Sequence, residues 1–271
     1  SGATQVRGLW TPVLAVGLAT FSVVTTEMLP VGLLTSIAAT LSVTTGSAGL
    51  VISLPALLAA LFAPFVVIAS GGIDRRLILC GLLVLLIVAN LASALASSLT
   101  MMLMARALVG LCMGGIWAIA GGLAARLVPE KSVGLATSII FGGVAAASVL
   151  GVPLGAFIGD AIGWRWAFGC MALFSTLVLA LHLAVIPPLP VAVSAKVGQF
   201  IAQLTNRTLV AGLLLTLLLV TSHFAAFTFV RPLLISVSGF HTQWIWAILF
   251  AYGIAGIIGN FLVGIGAARN G

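Results

Sequence analysis

The sequence predicts an all-α integral membrane protein, and three observations carry that reading. Hydrophobic residues make up 62% of the 271 residues and charged residues 6%, against about 25% charged in soluble domains. Mean hydropathy is correspondingly high, at +1.34. The apolar residues gather into about eight continuous runs, each near the ~20 residues that a spanning helix needs. None alternates with a two-residue period, which sets aside the strands of a membrane barrel.

The runs lie at about 9–35, 46–69, 77–97, 100–125, 133–159, 166–187, 208–230 and 243–266. The first holds Glu27, one of only four acids in the chain, and residues 13–39 carry no other charge. An ionisable group inside a span costs roughly 2.5–3.5 kcal/mol on insertion scales, so Glu27 is expected to face a protein interior or a water-filled path. Proline interrupts the runs at Pro30, Pro55, Pro64 and Pro153, as membrane helices tolerate when neighbours satisfy the freed backbone. The second and third runs are joined by Ser70-Gly71-Gly72-Ile73-Asp74-Arg75-Arg76. The fourth contains Arg106, in Arg106-Ala107-Leu108-Val109-Gly110; its guanidinium stays charged and must meet water, an acid or backbone carbonyls. The fifth is glycine-rich: Gly142-Gly143, then Gly151-Val152-Pro153-Leu154-Gly155 and Gly159. That pattern predicts a kinked helix with one close-packed face. Gly163-Trp164-Arg165-Trp166-Ala167-Phe168 opens the sixth, and its tryptophans fit an interfacial aromatic belt.

Pro187-Pro188-Leu189-Pro190 stops the sixth run and begins the longest polar connection, which reaches Arg207. A short interfacial helix is expected from Lys196 to Gln203. The chain therefore divides into 1–187, a six-helix N-terminal half; 188–207, a linker; and 208–271, about two further spans. A weak repeat supports the division: Glu27-Met28-Leu29-Pro30 near the end of the first run has a counterpart in Phe229-Val230-Arg231-Pro232 near the end of the seventh.

The net charge of +7 does not imply a nucleic-acid partner, because the basic residues stand in ones and twos at run ends. With the N-terminus inside, Arg7, Arg75, Arg76, Arg126, Lys131, Lys196, Arg207 and Arg269 fall on the cytoplasmic side, and Arg165 and Arg231 on the other. The positive-inside rule thus places both termini of the chain in the cytoplasm. Cys80, Cys112 and Cys170 each lie in an apolar run and read as small packing residues, not as a metal site. No Ser/His/Asp constellation or phosphate loop suggests an enzyme, and no cofactor is expected.

Most of residues 20–170 resembles the major facilitator superfamily, in its bacterial drug:proton antiporter branch. Asp74-Arg75 matches part of that family's loop signature, although Ser70 stands for its leading Gly and Leu77-Ile78 for its trailing Gly-Arg. Arg106 and Gly110 match its Arg-x-x-x-Gly, with Val109 in place of the family's Gln. The glycines of the fifth run resemble its antiporter motif, with Val152-Pro153 for the family's Gly-Pro. Thr25 to Leu34 and Trp117-Ala118-Ile119 look most like sugar and purine-nucleoside exporters of the branch.

The resemblance implies proton-coupled export of a sugar, nucleoside or drug across the bacterial inner membrane by alternating access. Glu27, Arg106 and His223 are the expected proton-coupling or substrate residues. Thr26, Asn90, Trp117, Phe227 and Asn260 are the expected cavity lining. Asp74, Arg75 and Arg76 would form a cytoplasmic gate, and Gly151, Pro153, Gly155 and Gly159 the antiporter motif. The expected partners are the lipid bilayer and a small-molecule substrate. Family members normally have twelve spans, so missing or partner helices are expected to complete the second half. The alternatives are a non-transporting assembly or sensor subunit, an inactive fragment, or a proton-independent facilitator.

Overall fold

The computed structural model describes residues 2–69, 71–190 and 205–270. Ser70 and the helix expected from Lys196 to Gln203 lie outside the described residues, as do the side chains of Arg7, Asn260 and Arg269. The helices are α1 (Gly2–Thr40), α2 (Thr45–Ala69), α3 (Arg75–Ala94), α4 (Leu99–Leu127), α5 (Val133–Ala146), α6 (Val152–Ile162), α7 (Trp164–Val185), α8 (Arg207–Thr228), α9 (Val230–Ser236) and α10 (Ile245–Asn270). Among the described residues no strand occurs. Also among the described residues, seven stretches are long and apolar enough to cross a membrane, from Trp10–Thr40 to Arg207–Thr228, and α10 carries the eighth apolar run. The predicted all-α membrane architecture is therefore the observed one.

The expected boundaries shift by a few residues for local reasons. The first span runs on to Thr40, whose hydroxyl bonds the Ser36 carbonyl at 2.8 Å. Asp74 caps α3 by accepting from Arg76 N, and Ser98 caps α4 by accepting from Met101 N, which satisfies donors that a helix start leaves free. The fifth span is not one helix. A wide π-helical turn, Ala147–Gly151, separates α5 from α6, and Pro153 follows it. Proline has no N–H and its ring crowds the carbonyl four residues back, so a regular α-turn at Val149 is disfavoured and the backbone opens there instead.

Helix α1 is the axis of the first six spans. It packs against α2, α4, α5, α6 and α7, while α2 lies mainly on α4, and α3 on α4 and α7. Three apolar layers stack along it. Val13, Val16, Leu79, Leu123, Leu127, Ile186 and Leu189 fill the end nearest the linker. Val23, Leu83, Leu86, Val109, Ile116 and Val178 fill the middle, and Leu33, Ile37, Val51, Met102, Trp164 and Phe168 the far end.

Glycine makes the closest approaches possible. A Cβ on Gly110 would lie 2.6 Å from the Pro55 carbonyl oxygen, and one on Gly114 2.7 Å from that of Ala59. The glycines Gly151, Gly155 and Gly159 of the fifth span face α1. A Cβ at Gly151 would lie 2.5 Å from Thr25 Oγ1, and those at Gly155 and Gly159 would collide with the Leu29 and Leu33 side chains. The close-packed face predicted from the sequence thus has a named partner, the ridge Thr25–Leu29–Leu33.

The Gly163 turn has φ +102°, a conformation that suits glycine. It delivers Trp164 inward, where its indole N–H donates to Thr40 Oγ1 at 3.1 Å. The aromatic-belt expectation therefore fails for Trp164, which is buried in the far apolar layer, and suits only the exposed Trp166.

Candidate functional site

Two polar centres and one cleft contain most of the residues singled out in the sequence. The first centre is built on the proline kinks. In an α-helix the carbonyl of residue i accepts from the N–H of residue i+4. Pro30 has no N–H, so the Thr26 carbonyl loses its partner; Pro55 does the same to Val51. Arg106 supplies both. Its Nη1 donates to Thr26 O at 2.8 Å and its Nε to Val51 O at 3.0 Å, while Nη2 donates to Glu27 O at 2.9 Å. The guanidinium, fully buried, also lies over the Phe168 ring with 5.9 Å between Cζ and the centroid. Of the three partners expected for Arg106, the structure selects backbone carbonyls.

Glu27 is buried beside this staple, and its Oε2 has no hydrogen-bond donor. Arg106 is within electrostatic reach of the carboxylate but does not bond it; among the described residues the one ion pair is Arg231–Asp160. Two further buried acceptors nearby in the chain or across it are unpartnered, Thr25 Oγ1 and Asn90 Oδ1. Asn90 reaches α1 through its Nδ2, which donates to Thr26 Oγ1 at 3.1 Å and to the Leu86 carbonyl at 3.1 Å. Thr26 and Asn90 are thus brought together inside the six-helix body, as helix-to-helix contacts behind α1.

The cleft lies between α1, the α5–α6 wide turn, α8 and α10, with a volume of about 480 Å³. Val24 and Met28 of α1, Ser148 and Val149 of the wide turn, and His223, Phe227 and Tyr252 line it. His223 and Phe227 stack with centroids 5.8 Å apart and planes at 13°; Phe227 and Tyr252 stack at 5.2 Å and 24°. The result is a flat aromatic wall carrying an imidazole and a phenol. Residues 24 and 28 share a face of α1, and Glu27, about 80° round the helix from their midpoint, is not among the residues that line the cleft. Trp117 is 40% exposed and packs on Phe141, with centroids 5.5 Å apart; it is not part of this wall.

The second centre joins the α2–α3 loop to the end of α7. Both Asp74 carboxylate oxygens accept from Leu189 N, at 2.9 and 3.0 Å, and Arg75 N donates back to Leu189 O at 3.1 Å. Arg76 Nη2 donates to the Leu183 carbonyl at 2.7 Å, and Arg126 to the Leu189 and Pro190 carbonyls. Asp74 and Arg126 therefore clamp the start of the linker, and Arg76 holds the last turn of α7.

Sequence reasoning missed three residues. Tyr252, the chain's one tyrosine, shares the aromatic wall. Asp160 was countable as one of four acids. The sequence marks Arg231 as a topogenic charge and a repeat position, yet it is buried and paired with Asp160.

A family model described as Major Facilitator Superfamily matches residues 16–271. Purine ribonucleoside efflux pump NepI of Salmonella paratyphi A is 35% identical over 254 residues, and that of Salmonella typhimurium 34%. Each match covers 94% of this chain and 64% of the relative, so the chain spans about 64% of the length of the curated relatives it matches. Among solved structures, a bacterial homologue of the human lysosomal transporter Spinster superposes with a TM-score of 0.77 at 18% identity, covering 97% of this chain and 64% of that one. The proton:xylose symporter XylE gives a TM-score of 0.60 at 16% identity, covering 66% and 45%. At these identities the structural likeness speaks to fold.

Proposed function

This chain belongs to the Major Facilitator Superfamily, and on that premise we propose that the protein exports a purine nucleoside, or a small organic molecule like it, in exchange for protons. The bacterial inner membrane is the proposed location, with the basic helix ends and both ends of this chain on the cytoplasmic side. Residues 1–187 form the first half of the transporter, 188–207 the linker and 208–271 the start of the second half.

The observation that carries the reading is Glu27: a buried carboxylate with an unpartnered oxygen, one residue before Met28, which lines a cleft walled by His223, Phe227 and Tyr252. A carboxyl group in such a place changes its proton affinity when water enters or when a neighbouring cation moves. That is what coupling requires: an acid that holds a proton in one state of the cleft and releases it in another. The aromatic wall suits a planar heterocycle, since stacking offers area at low entropic cost, and the names of the Salmonella relatives give the nucleoside as the first candidate.

Alternating access supplies the rest. Family folds of this kind bind cargo near the bilayer midplane between repeated halves, and the cleft lies between the two parts of this chain. The Asp74 clamp on Leu189 ties the proposed cytoplasmic gate to the linker, so movement of the second half is felt at the α2–α3 loop.

The test is uptake of labelled inosine into inverted membrane vesicles bearing the complete protein, with and without an imposed pH gradient. Uptake should follow the gradient in the wild type and lose that dependence in Glu27→Gln. Gradient-driven uptake undiminished in Glu27→Gln would remove the coupling role, and uptake indifferent to the gradient in the wild type would indicate a facilitator.

A further inference from the structure

The Arg231–Asp160 pair belongs to neither the Glu27 centre nor the cleft. Arg231 lies in the first turn of α9 and is 1% exposed; Asp160, near the end of α6, is 20% exposed. Arg231 Nη2 donates to Asp160 Oδ1 at 2.6 Å and Nη1 to Oδ2 at 3.4 Å. Its Nε donates to Thr35 Oγ1 at 2.8 Å, and Nη1 also to the Gly32 carbonyl. One guanidinium from the second part of the chain thus holds both α1 and α6 of the first. Apolar contacts surround it: Phe229 on Gly49, Trp246 on Phe157, and Val230 with Val31 and Leu34.

These contacts share one end of the bundle. Gly32 and Thr35 lie late in α1, and Arg231 follows the whole of α8, which spans about 30 Å at 1.5 Å per residue. The Asp74–Leu189 clamp sits at the opposite end, where α8 begins. Toward that end α8 loses its burial: every residue from 211 to 223 is exposed, and burial resumes at Thr228. Along α8 the contact with the first part is closed beside Arg231 and open toward the linker.

We propose that Arg231 and Asp160, with Thr35, form the latch that holds the transporter's outer end shut, and that they part each time the cleft turns outward. This rests on the alternating-access reading. An ion pair whose cation is buried and whose acid reaches the surface is suited to the task. Removing one partner strands a desolvated charge, so the closed state is strongly specified. Opening outward places both partners in water together, where each is hydrated and neither is stranded. The planar fork of arginine matters, because it engages carboxylate, hydroxyl and carbonyl at once.

The test reads conformation directly. The complete protein, with Cys80, Cys112 and Cys170 replaced by serine, is spin-labelled at Leu95 and Val237 in nanodiscs. Both are highly exposed, at 72% and 75%, one on each part and both at the latch end. Asp160→Asn is expected to raise the population with a long outer distance about tenfold, as leaving the buried Arg231 charge without its partner shifts a two-state equilibrium. Thr35→Val, which removes one bond and no charge, gives a smaller shift in the same direction and serves where Asp160→Asn does not fold. Arg231→Lys should fall between them. An outer distance distribution unchanged in Asp160→Asn, or in Thr35→Val if that alone folds, overturns the latch. Such a result leaves proton-coupled export standing, because the inosine assay reads that separately.

Discussion

Replacing Arg106 by leucine removes the donor for two carbonyls that the chain's own prolines have orphaned, and the cost should depend on those prolines. Three hydrogen bonds are lost, at 3.0, 2.8 and 2.9 Å. A buried carbonyl left without a donor costs about 1–3 kcal/mol, so the Thr26 and Val51 carbonyls together account for about 2–6 kcal/mol. Hydrogen bonds measured within membrane bundles average nearer ~0.6 kcal/mol, which makes about 2 kcal/mol the lower bound for the three. Restoring the missing N–H groups by Pro30→Ala and Pro55→Ala lets the helices satisfy those carbonyls internally. The penalty of Arg106→Leu in that background should fall by about 1–2 kcal/mol for each proline replaced. Reversible unfolding in mixed micelles, run as a double-mutant cycle, measures the difference. An Arg106→Leu penalty that is the same with and without the prolines would refute the argument, and would mean that the arginine acts through its charge or bulk.

Two further outcomes follow from the packing and the clamp. Gly142 and Gly143 are adjacent, yet a Cβ on Gly143 would strike the Gly17 carbonyl and Thr20 Oγ1, whereas Gly142 has nothing within 4 Å. Gly143→Ala should therefore lower stability by about 1–3 kcal/mol and Gly142→Ala should be neutral or slightly stabilising, as thermal melts in detergent would show. Asp74→Ala deletes the acceptor of both Leu189 N and Arg76 N. It should cost about 1–2 kcal/mol, as loss of a cap does, and should expose the Pro187–Pro190 segment to proteolysis; wild-type protease resistance in that variant would argue against the clamp.

The fold was legible because membrane burial writes itself into composition. Eight apolar runs, polar caps at Asp74 and Ser98, and basic residues at run ends are local signals. Glu27 and Arg106 were legible for the same reason, as charges where none is cheap. What Arg106 touches was less so. The i+4 rule marks the Thr26 and Val51 carbonyls as free once Pro30 and Pro55 are seen, but only the crossing of α1, α2 and α4 brings them to one guanidinium. Arg231 illustrates the opposite error: a cation at a span end reads as topogenic, and nothing local shows that Asp160, 71 positions earlier, waits beside it. Tyr252 joined His223 and Phe227 through tertiary packing of α8 on α10, which no sequence period encodes.

The wide turn at Ala147–Gly151 sets the phase of everything after it. The seam glycines recur at 143, 151, 155 and 159, always a multiple of four apart. In a regular α-helix each step of four advances about 40° beyond a full revolution, so Gly159 would stand about 160° from Gly143. One extra residue accommodated in the wide turn takes back about 100° of that rotation. Deleting a single residue there would leave composition and hydropathy almost unchanged. It would swing α6 about its axis, lifting Gly155 and Gly159 off Leu29 and Leu33 and carrying Asp160 away from Arg231. The length of one turn in the fifth span thereby governs whether Asp160 can meet Arg231 at the far end of the molecule.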